Sequence, residues 1–285
     1  MKQYLDMLQK VMDTGVWTHN RTGIDTIAMS GCMFEHDMST GFPILTTKKM
    51  GLKNINAELE MFIKGIHNKE FLKERNCHIW DEWASSAIVP YGNDDETKAK
   101  MAAEPELGPI YGFQYRHFNG DWRKDEGGVD QLKNLIDTIK KDPTSRRLIV
   151  SAWNPQQLDE MALPPCHMIY EVLCYPDQKK MDLMWFQRSS DAFLGVPYDI
   201  ASYGMLLTLI AKECGYTPGK LIGYFGSFHV YKNQIDQVKE QLTRTPHKLP
   251  TVEITNWKSI WDWKYTDFEL KDYECDGKLT AAVAV

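Results

Sequence analysis

The amino-acid sequence predicts an α+β fold, in which helices cover a large mixed β-sheet. Three apolar, strand-like segments lie within residues 148–187, and they supply part of that sheet. Helical patterns stand on either side of them, at residues 129–141 and 200–214. The chain contains no internal repeat and no clean linker, so we predict a single domain over residues 1–285.

The individual elements follow from hydrophobic periodicity, taken in chain order. Residues 1–14 predict an amphipathic helix, because Tyr4, Leu8 and Val11 recur at helical spacing. Residues 26–35 alternate and are typical of a strand. The other predicted elements are helices at 54–64, 129–141, 200–214 and 231–243, and strands at 148–153, 167–175, 181–187 and 220–228.

Residues 85–106 form a polar insert. The segment contains Ala and Pro, and it shows little apolar periodicity beyond a short Lys-Ala-Lys-Met-Ala-Ala turn. Polar segments of this length without periodicity run over the surface of a fold. We therefore predict a surface excursion that is the least ordered part of the chain.

Composition and charge narrow the partners and the compartment. The net charge is −6 without a basic tail, which gives no sign of a nucleic-acid polymer as partner. No apolar stretch approaches about 18 residues, so no membrane span is predicted. The cysteines are scattered without a Cys-x-x-Cys pair, and the N-terminus lacks a signal-peptide core. We predict a cytoplasmic protein with no metal site and no disulfide framework.

The segment from residue 163 to residue 203 holds the groups best suited to covalent chemistry. Cys166 follows two prolines on a stiff backbone, and Arg188 comes about one strand later. A guanidinium beside a thiol lowers the pKa of that thiol and keeps a nucleophilic thiolate. The alternative is a buried structural cysteine and a surface arginine, which is the commoner case for any single cysteine.

These residues belong to a set of motifs that resembles the thymidylate synthase family over nearly the whole chain. Members transfer a one-carbon unit from folate to C5 of a pyrimidine nucleotide. The resemblance implies a thymidylate synthase-like fold and 5,10-methylenetetrahydrofolate as the cofactor. The motifs are Arg21-Thr22-Gly23, Phe42-Pro43 with Thr46-Thr47-Lys48-Lys49, Ile79-Trp80-Asp81-Glu82-Trp83, Gly108-Pro109-Ile110-Tyr111-Gly112, Arg146-Arg147, Pro165-Cys166-His167, Gln187-Arg188-Ser189 and Ile200-Ala201-Ser202-Tyr203.

The resemblance implies a covalent mechanism. Pyrimidine C5 is a poor nucleophile, and addition of a thiolate to C6 makes it able to attack an electrophilic carbon. Cys166 is implied as that thiolate, while Glu58 and Tyr111 match the acid and the phenol of a proton-transfer network. Taken alone, Glu58 is more simply a helix acid that reaches solvent. The catalytic residues implied are Cys166, Glu58, Tyr111, His167, Arg188 and Asp199.

The resemblance also implies how two ligands and a second subunit are held. Arginines suit a phosphate through bidentate bonds, and aromatic rings stack on folate. Arg146 and Arg147 match a pair that reaches across a homodimer to the partner's phosphate, although an isolated Arg-Arg is more often solvated. The remaining nucleotide contacts implied are Arg21, Gln187, Ser189, His229 and Tyr231, and the folate contacts are Trp80, Trp83, Leu163, Asp191 and Val285.

Asp199 departs from the synthase pattern. Thymidylate synthases carry Asn there, whose amide reads N3–H and O4 of uracil, whereas an ionised carboxylate only accepts. Cytosine offers an amino group in place of O4. Deoxycytidylate hydroxymethylases, a phage-associated branch of the superfamily, carry Asp at the matching position, and Ser227 also resembles that branch. We therefore predict dCMP as the substrate.

Alternatives remain open for the product of the reaction and for the class of activity. Asp199 and Ser227 favour 5-hydroxymethylation of dCMP, in which water captures the one-carbon unit. Trp80, Leu163 and the C-terminal tail resemble synthase features that exclude water, and they keep methylation open. The alternative substrate is dUMP, converted to dTMP by a thymidylate synthase in which Asp199 is a neutral change. An inactive nucleotide-binding or scaffold protein is disfavoured because the catalytic set is intact.

Overall fold

A computed structural model describes residues 1–282, and its largest element is a six-stranded β-sheet. The strands lie in the order β1-β2-β6-β5-β4-β3, with β5 and β6 parallel and the other neighbours antiparallel. A separate antiparallel pair is formed by β7 and β8. The strands are β1 Val16–Thr18, β2 Thr26–Asp37, β3 Ile149–Ser151, β4 His167–Tyr175, β5 Lys180–Asp191, β6 Thr217–Tyr231, β7 Thr251–Ile254 and β8 Phe268–Lys271.

The helices lie largely on one side of this sheet. The most apolar of them, Gly195–Cys214, packs on both β5 and β6, and it ends at Gly215 in a left-handed conformation with φ of 73°. The helix at 131–141 begins where the Asp130 carboxylate accepts from the backbone N–H of Lys133. In chain order the helices are α1 Lys2–Thr14, α2 Leu52–Ile63, α3 Glu70–Lys73, α4 Asp95–Ala103, α5 Tyr111–His117, α6 Gln131–Lys141, α7 Gly195–Cys214 and α8 Ile235–Thr243.

A cluster of buried apolar side chains joins the sheet to the helices and runs from Met1 to Trp263. Trp185 of β5 and Leu206 of α7 are each 1% exposed within it. Burying such a side chain contributes about 1.5–3 kcal/mol to folding. The predicted single domain over residues 1–285 stays a prediction. No helix within residues 1–282 is both long enough and apolar enough to span a membrane.

The opposite face of the sheet leaves a row of large apolar side chains exposed. Met33 pairs with Tyr224, Tyr224 with Phe186, and Phe186 with Ile169, so the row crosses four neighbouring strands. Each of these side chains is between 36% and 53% exposed. We call this set, Met33, Tyr224, Phe186 and Ile169, the outer row.

The observed elements differ from the sequence predictions mainly in length. The strand predicted at 220–228 extends over residues 217–231, because β2 and β5 hydrogen-bond to it from both sides along its length. The helix predicted at 231–243 therefore starts later, at Ile235, after a single 3₁₀ turn. The sequence analysis did not predict α3, α5, β1, β7 or β8, which are all short.

The residues of the polar insert at 85–106 are mostly exposed, and the insert contains a regular helix. The Asp94 carboxylate accepts from the backbone N–H of Thr97 at 2.9 Å and so caps α4. Met101 of the same helix is 3% exposed. The insert is therefore tied to the body of the fold by a buried side chain.

Candidate active site

A cavity of about 1080 Å³ opens beside the ends of β5 and β6 and the first turn of α7. It gathers most of the residues that the sequence analysis singled out, from segments far apart in the chain. Those that line it are Arg21, Glu58, Trp80, Trp83, Tyr111, Leu163, Cys166, His167, Gln187, Arg188, Ser189, Asp191, Asp199, His229 and Tyr231.

Two predicted residues within the described part of the chain do not line this cavity. Arg146 and Arg147 are exposed, beyond the end of α6 and away from the cavity wall. Val285, predicted to close over folate, lies outside the described residues. Arg21 and Arg188 are predicted arginines that do line the cavity.

Cys166 lies at the start of β4 and is held by its neighbours through backbone contacts. Its N–H donates to the phenol oxygen of Tyr111 at 2.7 Å. Arg188 donates from Nε to the Pro165 carbonyl and from Nη2 to the Pro164 carbonyl, both at 2.8 Å. The two prolines and Arg188 thus fix the loop that presents the thiol to the cavity.

The electrostatics of the thiol differ from the sequence prediction. Burial raises the pKa of Cys166, and the Arg188 guanidinium lowers that pKa by less than burial raises it. The Arg188 guanidinium thus lowers the pKa of the thiol, as the sequence analysis expected, but burial outweighs it. In the free protein the thiol form of Cys166 is favoured.

Glu58 faces the cavity, which the solvent-facing alternative did not anticipate. Its Oε1 accepts from the indole N–H of Trp80 at 2.7 Å. Burial raises the pKa of Glu58 to about 7, and the Trp80 hydrogen bond opposes that rise. A carboxyl group with this pKa gains and loses protons near neutral pH, which suits general acid–base catalysis.

His167 is a neutral ring packed between aromatic side chains. Its ring stacks on Tyr111 with 4.2 Å between the centroids, and its Nδ1 lies 2.9 Å from the hydroxyl of Tyr203. Burial lowers the pKa of His167 to about 3. The Nε2 of His167 lies 3.8 Å from Asp199 Oδ1, and at neutral pH that approach is not an ion pair.

Asp199 lies on the first turns of α7 with 18% of its side-chain surface exposed. Its Oδ2 accepts from Nε2 of Gln187 at 2.8 Å. The pKa of Asp199 is raised to about 7, chiefly by burial; the Gln187 hydrogen bond opposes that rise, and the nearby Glu58 and Asp191 carboxyls add to it. The sequence analysis treated Asp199 as ionised, whereas near neutral pH the carboxyl is in part protonated.

The far side of the cavity combines polar groups from β5 and β6 with Asp191. The Nδ1 of His229 lies 3.1 Å from the Ser227 carbonyl, and its ring meets Tyr231 edge-on at 5.2 Å. Asp191 Oδ1 accepts from two backbone N–H groups, and its Oδ2 accepts from Gln234 at 2.8 Å. Asp191 is thus held in one orientation by the protein itself.

Sequence reasoning missed several cavity residues. Trp153 lies under Arg188, with 5.3 Å between the guanidinium carbon and the ring centroid. Tyr198 and Leu194 enter from the start of α7. None of these side chains was assigned a role, because an aromatic residue or a leucine is indistinguishable from core in a sequence; the position of Tyr198 directly before Asp199 was the available signal.

Fold and cavity together define an enzyme built for nucleophilic chemistry on a small ligand. The family model described as "Thymidylate synthase" matches residues 2–285, and the chain belongs to this family. It is 42% identical over 306 residues to the thymidylate synthase of Malacoplasma penetrans (strain HF-2), with 100% of both chains covered. The predicted family and α+β fold are confirmed.

The one-carbon donor of this family is 5,10-methylenetetrahydrofolate, as predicted. The cavity fits such a group, because Ile79, Trp80, Trp83 and Leu163 form an apolar, partly aromatic wall on one side. Asp191, fixed by its own hydrogen bonds, offers a carboxylate beside the same cavity. These residues would hold the folate.

Proposed function

We propose that this protein catalyses the thymidylate synthase reaction, the conversion of dUMP to dTMP with 5,10-methylenetetrahydrofolate. The observation that carries the proposal is the cavity that brings Cys166, Glu58 and Asp199 together in a chain with a full-length synthase relative. The comparisons favour this alternative over the dCMP hydroxymethylation that the sequence analysis placed first.

Cys166 is proposed as the nucleophile that adds to C6 of the pyrimidine. Its thiol must lose a proton on the way, because burial favours the neutral form in the free protein. Arg188 lies against the Cys166 loop and stabilises the thiolate as it forms. The bound nucleotide then carries a C–S bond at C6, and its C5 becomes a nucleophile.

Glu58 is proposed to move protons at the base, helped by Tyr111. The pKa of about 7 allows Glu58 to take up and release a proton within one turnover. Trp80 fixes the Glu58 carboxyl by its N–H and is 6% exposed, so its ring excludes water from this end of the cavity. The bound folate supplies the one-carbon unit and, for a methyl product, the reducing equivalents.

Asp199 is proposed to read the base. Gln187 donates to Oδ2, which leaves Oδ1 as the oxygen that carries a proton when the acid forms. A protonated Asp199 then has one acceptor and one donor, as an Asn amide has, and these match N3–H and O4 of uracil. The pKa of about 7 supports uracil as a substrate despite the change from Asn.

A second candidate substrate is dCMP, and Asp199 is the observation that favours it. The ionised carboxylate accepts from the N4 amino group of cytosine, and it opposes O4 of uracil. The protonated acid also suits cytosine, because its O–H can donate to N3. Cytosine is therefore compatible with either form of Asp199, whereas uracil requires the acid.

The remaining contacts are proposed as follows. Arg21, Arg188 and Ser189 take the phosphate, for which guanidinium groups supply bidentate donors. His229 and Tyr231 hold the sugar hydroxyl. Arg146 and Arg147 are solvent-exposed in one chain, and they are proposed to reach the phosphate in a partner subunit.

A homodimer is proposed on the outer row. Met33, Tyr224, Phe186 and Ile169 form a continuous apolar strip across four strands, and large exposed apolar strips of this kind mark association surfaces. A two-fold pairing of the sheets would cover the strip in both chains at once. Such a pairing also gives Arg146 and Arg147 a reason to be exposed.

The test of the proposed chemistry is a covalent adduct and its product. The protein is incubated with 5-fluoro-dUMP or 5-fluoro-dCMP and methylenetetrahydrofolate, and the modified peptide is mapped by mass spectrometry. Modification is expected at Cys166 and absent in Cys166→Ala, with Cys214→Ala as the control that keeps it. Turnover of dUMP should yield dTMP and dihydrofolate.

The result also separates the candidates. Modification at another cysteine, or none with either analogue, refutes the mechanism and favours an inactive binding protein. Far faster turnover of dCMP than of dUMP favours the second candidate. A product heavier than the methyl compound by one oxygen means that water captured the one-carbon unit.

A further inference from the structure

Tyr91 of the polar insert contacts two residues at the mouth of the active-site cavity. The Tyr91 ring stacks on the ring of Trp83, with 6.2 Å between the centroids and 19° between the planes. Its hydroxyl accepts from Nη1 of Arg21 at 3.2 Å and donates to Oδ1 of Asn93 at 3.0 Å. Arg21 and Trp83 both line the cavity, whereas Tyr91 does not.

Tyr91 therefore joins the two ends of the proposed site. Arg21 belongs to the turn before β2 and is proposed to meet the phosphate, and Trp83 belongs to the folate wall. The guanidinium carbon of Arg21 also lies 5.3 Å from the Tyr91 ring centroid, within the range of a cation–π contact. A single side chain thus contacts the phosphate side and the folate side.

The base of the insert is fixed by a buried lysine. Lys69 is fully buried, and its ammonium group donates to three backbone carbonyls, those of Asp81, Trp83 and Met101, at 3.0, 2.7 and 2.8 Å. Two of these carbonyls belong to the turn at 79–83, which contains Trp80 and Trp83, and the third belongs to α4 of the insert. The turn that carries Trp83 and the insert that carries Tyr91 are consequently held together.

We propose that Tyr91 is a positioning residue that holds Arg21 at the cavity mouth, ready for the 5′-phosphate of the nucleotide. The inference rests on the proposed function, in which that phosphate is the ligand of Arg21. A free arginine side chain loses rotamer freedom when it binds, and a contact that orders it beforehand reduces this loss. Tyr91 stacked on Trp83 provides such a contact.

The hydroxyl and the ring of Tyr91 have separable effects. Tyr91→Phe keeps the stack on Trp83 and removes the acceptor of the Arg21 N–H. Because the contact is exposed, we expect Tyr91→Phe to weaken nucleotide binding by about threefold. The loss should appear in Kd and KM for the nucleotide, while kcat at saturating nucleotide and KM for folate stay near wild type.

The experiment is a calorimetric double-mutant cycle with dUMP and dCMP as the probes. Wild type, Tyr91→Phe, Arg21→Ala and the double variant are titrated with each nucleotide and with the unphosphorylated nucleosides. Tyr175→Phe is the matched control, because it loses one hydroxyl hydrogen bond, to Asp182, away from the cavity. Circular dichroism melts check that each variant remains folded.

The inference requires that Tyr91→Phe weakens nucleotide binding, that Tyr175→Phe does not, and that the Tyr91 effect disappears in the Arg21→Ala background. The inference is overturned if Tyr91→Phe weakens nucleotide binding equally with and without Arg21. It is also overturned if the wild type binds nucleotide and Tyr91→Phe binds it just as tightly. A loss of the same size with the nucleosides also overturns it, since the phosphate is then not involved. A wild-type protein that binds neither nucleotide refutes the proposed function itself.

Discussion

Replacing Asp199 by Asn tests how this site selects its base. In the wild type, uracil needs the protonated acid, and the pKa of Asp199 is raised to about 7. Protons leave the carboxyl as the pH rises through that value, so a donor to O4 is replaced by a second acceptor. The Asn amide carries its donor at every pH in the range and removes this dependence.

The size of the effect follows from the contact that is lost. A buried polar group left facing a like group costs about 1–3 kcal/mol, which corresponds to about 5-fold to about 150-fold in rate. Because a carboxyl with a pKa of about 7 goes from about 90% to about 3% protonated between pH 6 and pH 8.5, we expect kcat/KM of the wild type for dUMP to fall by about 4-fold to about 25-fold over that interval. The ratio of dCMP to dUMP turnover should rise over the same interval.

The assay measures kcat/KM for dUMP and dCMP at a series of pH values in wild type and in Asp199→Asn. The variant should favour dUMP and should lose the pH dependence of the dCMP to dUMP ratio. Using the ratio removes contributions from Glu58 and Cys166, which act on both substrates. A wild-type ratio that stays constant through pH 7 would show that Asp199 does not titrate against the base.

Three further predictions concern stability and assembly. Glu58→Gln should raise the free energy of unfolding at pH 8 by up to about 3 kcal/mol. The pKa of Glu58 is about 7 in the folded protein and 4.5 ordinarily, so wild-type stability falls as the pH rises between these values. Equal urea midpoints of wild type and variant at pH 8 would contradict this. Mixing Cys166→Ala with Arg147→Ala subunits should restore part of the activity that each lacks, and no recovery at any ratio argues against shared sites. Lys69→Met should lower the free energy of unfolding by about 3–5 kcal/mol, since three buried carbonyls lose their donor. The control is Lys73→Met, which should change the free energy of unfolding by about 0.5 kcal/mol or less, because the Lys73 side chain is partly exposed.

The sequence predicted the cavity residues better than their charge states. Cys166, Glu58 and Asp199 were predicted from the resemblance to the family, and all three line the cavity. Their pKa values depend on how much surface the folded protein covers, and no local pattern reports that. Arg188 lowers the pKa of the Cys166 thiol, as the sequence predicted, but the total shift of that pKa is upward because burial raises it by more.

The insert was the least predictable part for a related reason. Its residues show no apolar periodicity, so nothing in the sequence marked Tyr91 as a contact of Trp83 or Arg21. The same holds for Lys69, since a lysine in a polar segment is ordinarily solvated. Both side chains acquire their partners only when segments distant in sequence come together.

Burial explains why so many groups in this cavity are held near neutrality. It raises the pKa of Cys166, Glu58 and Asp199 and lowers that of His167, so each of these groups favours its neutral form more than it would in water. A nucleotide brings its own phosphate charge to Arg21 and Arg188. Glu58 and Asp199 both have a pKa of about 7, so a proton can pass between them at little cost in free energy. The thiol of Cys166 has a pKa raised above its ordinary value, so forming the thiolate in this buried site remains the costly step.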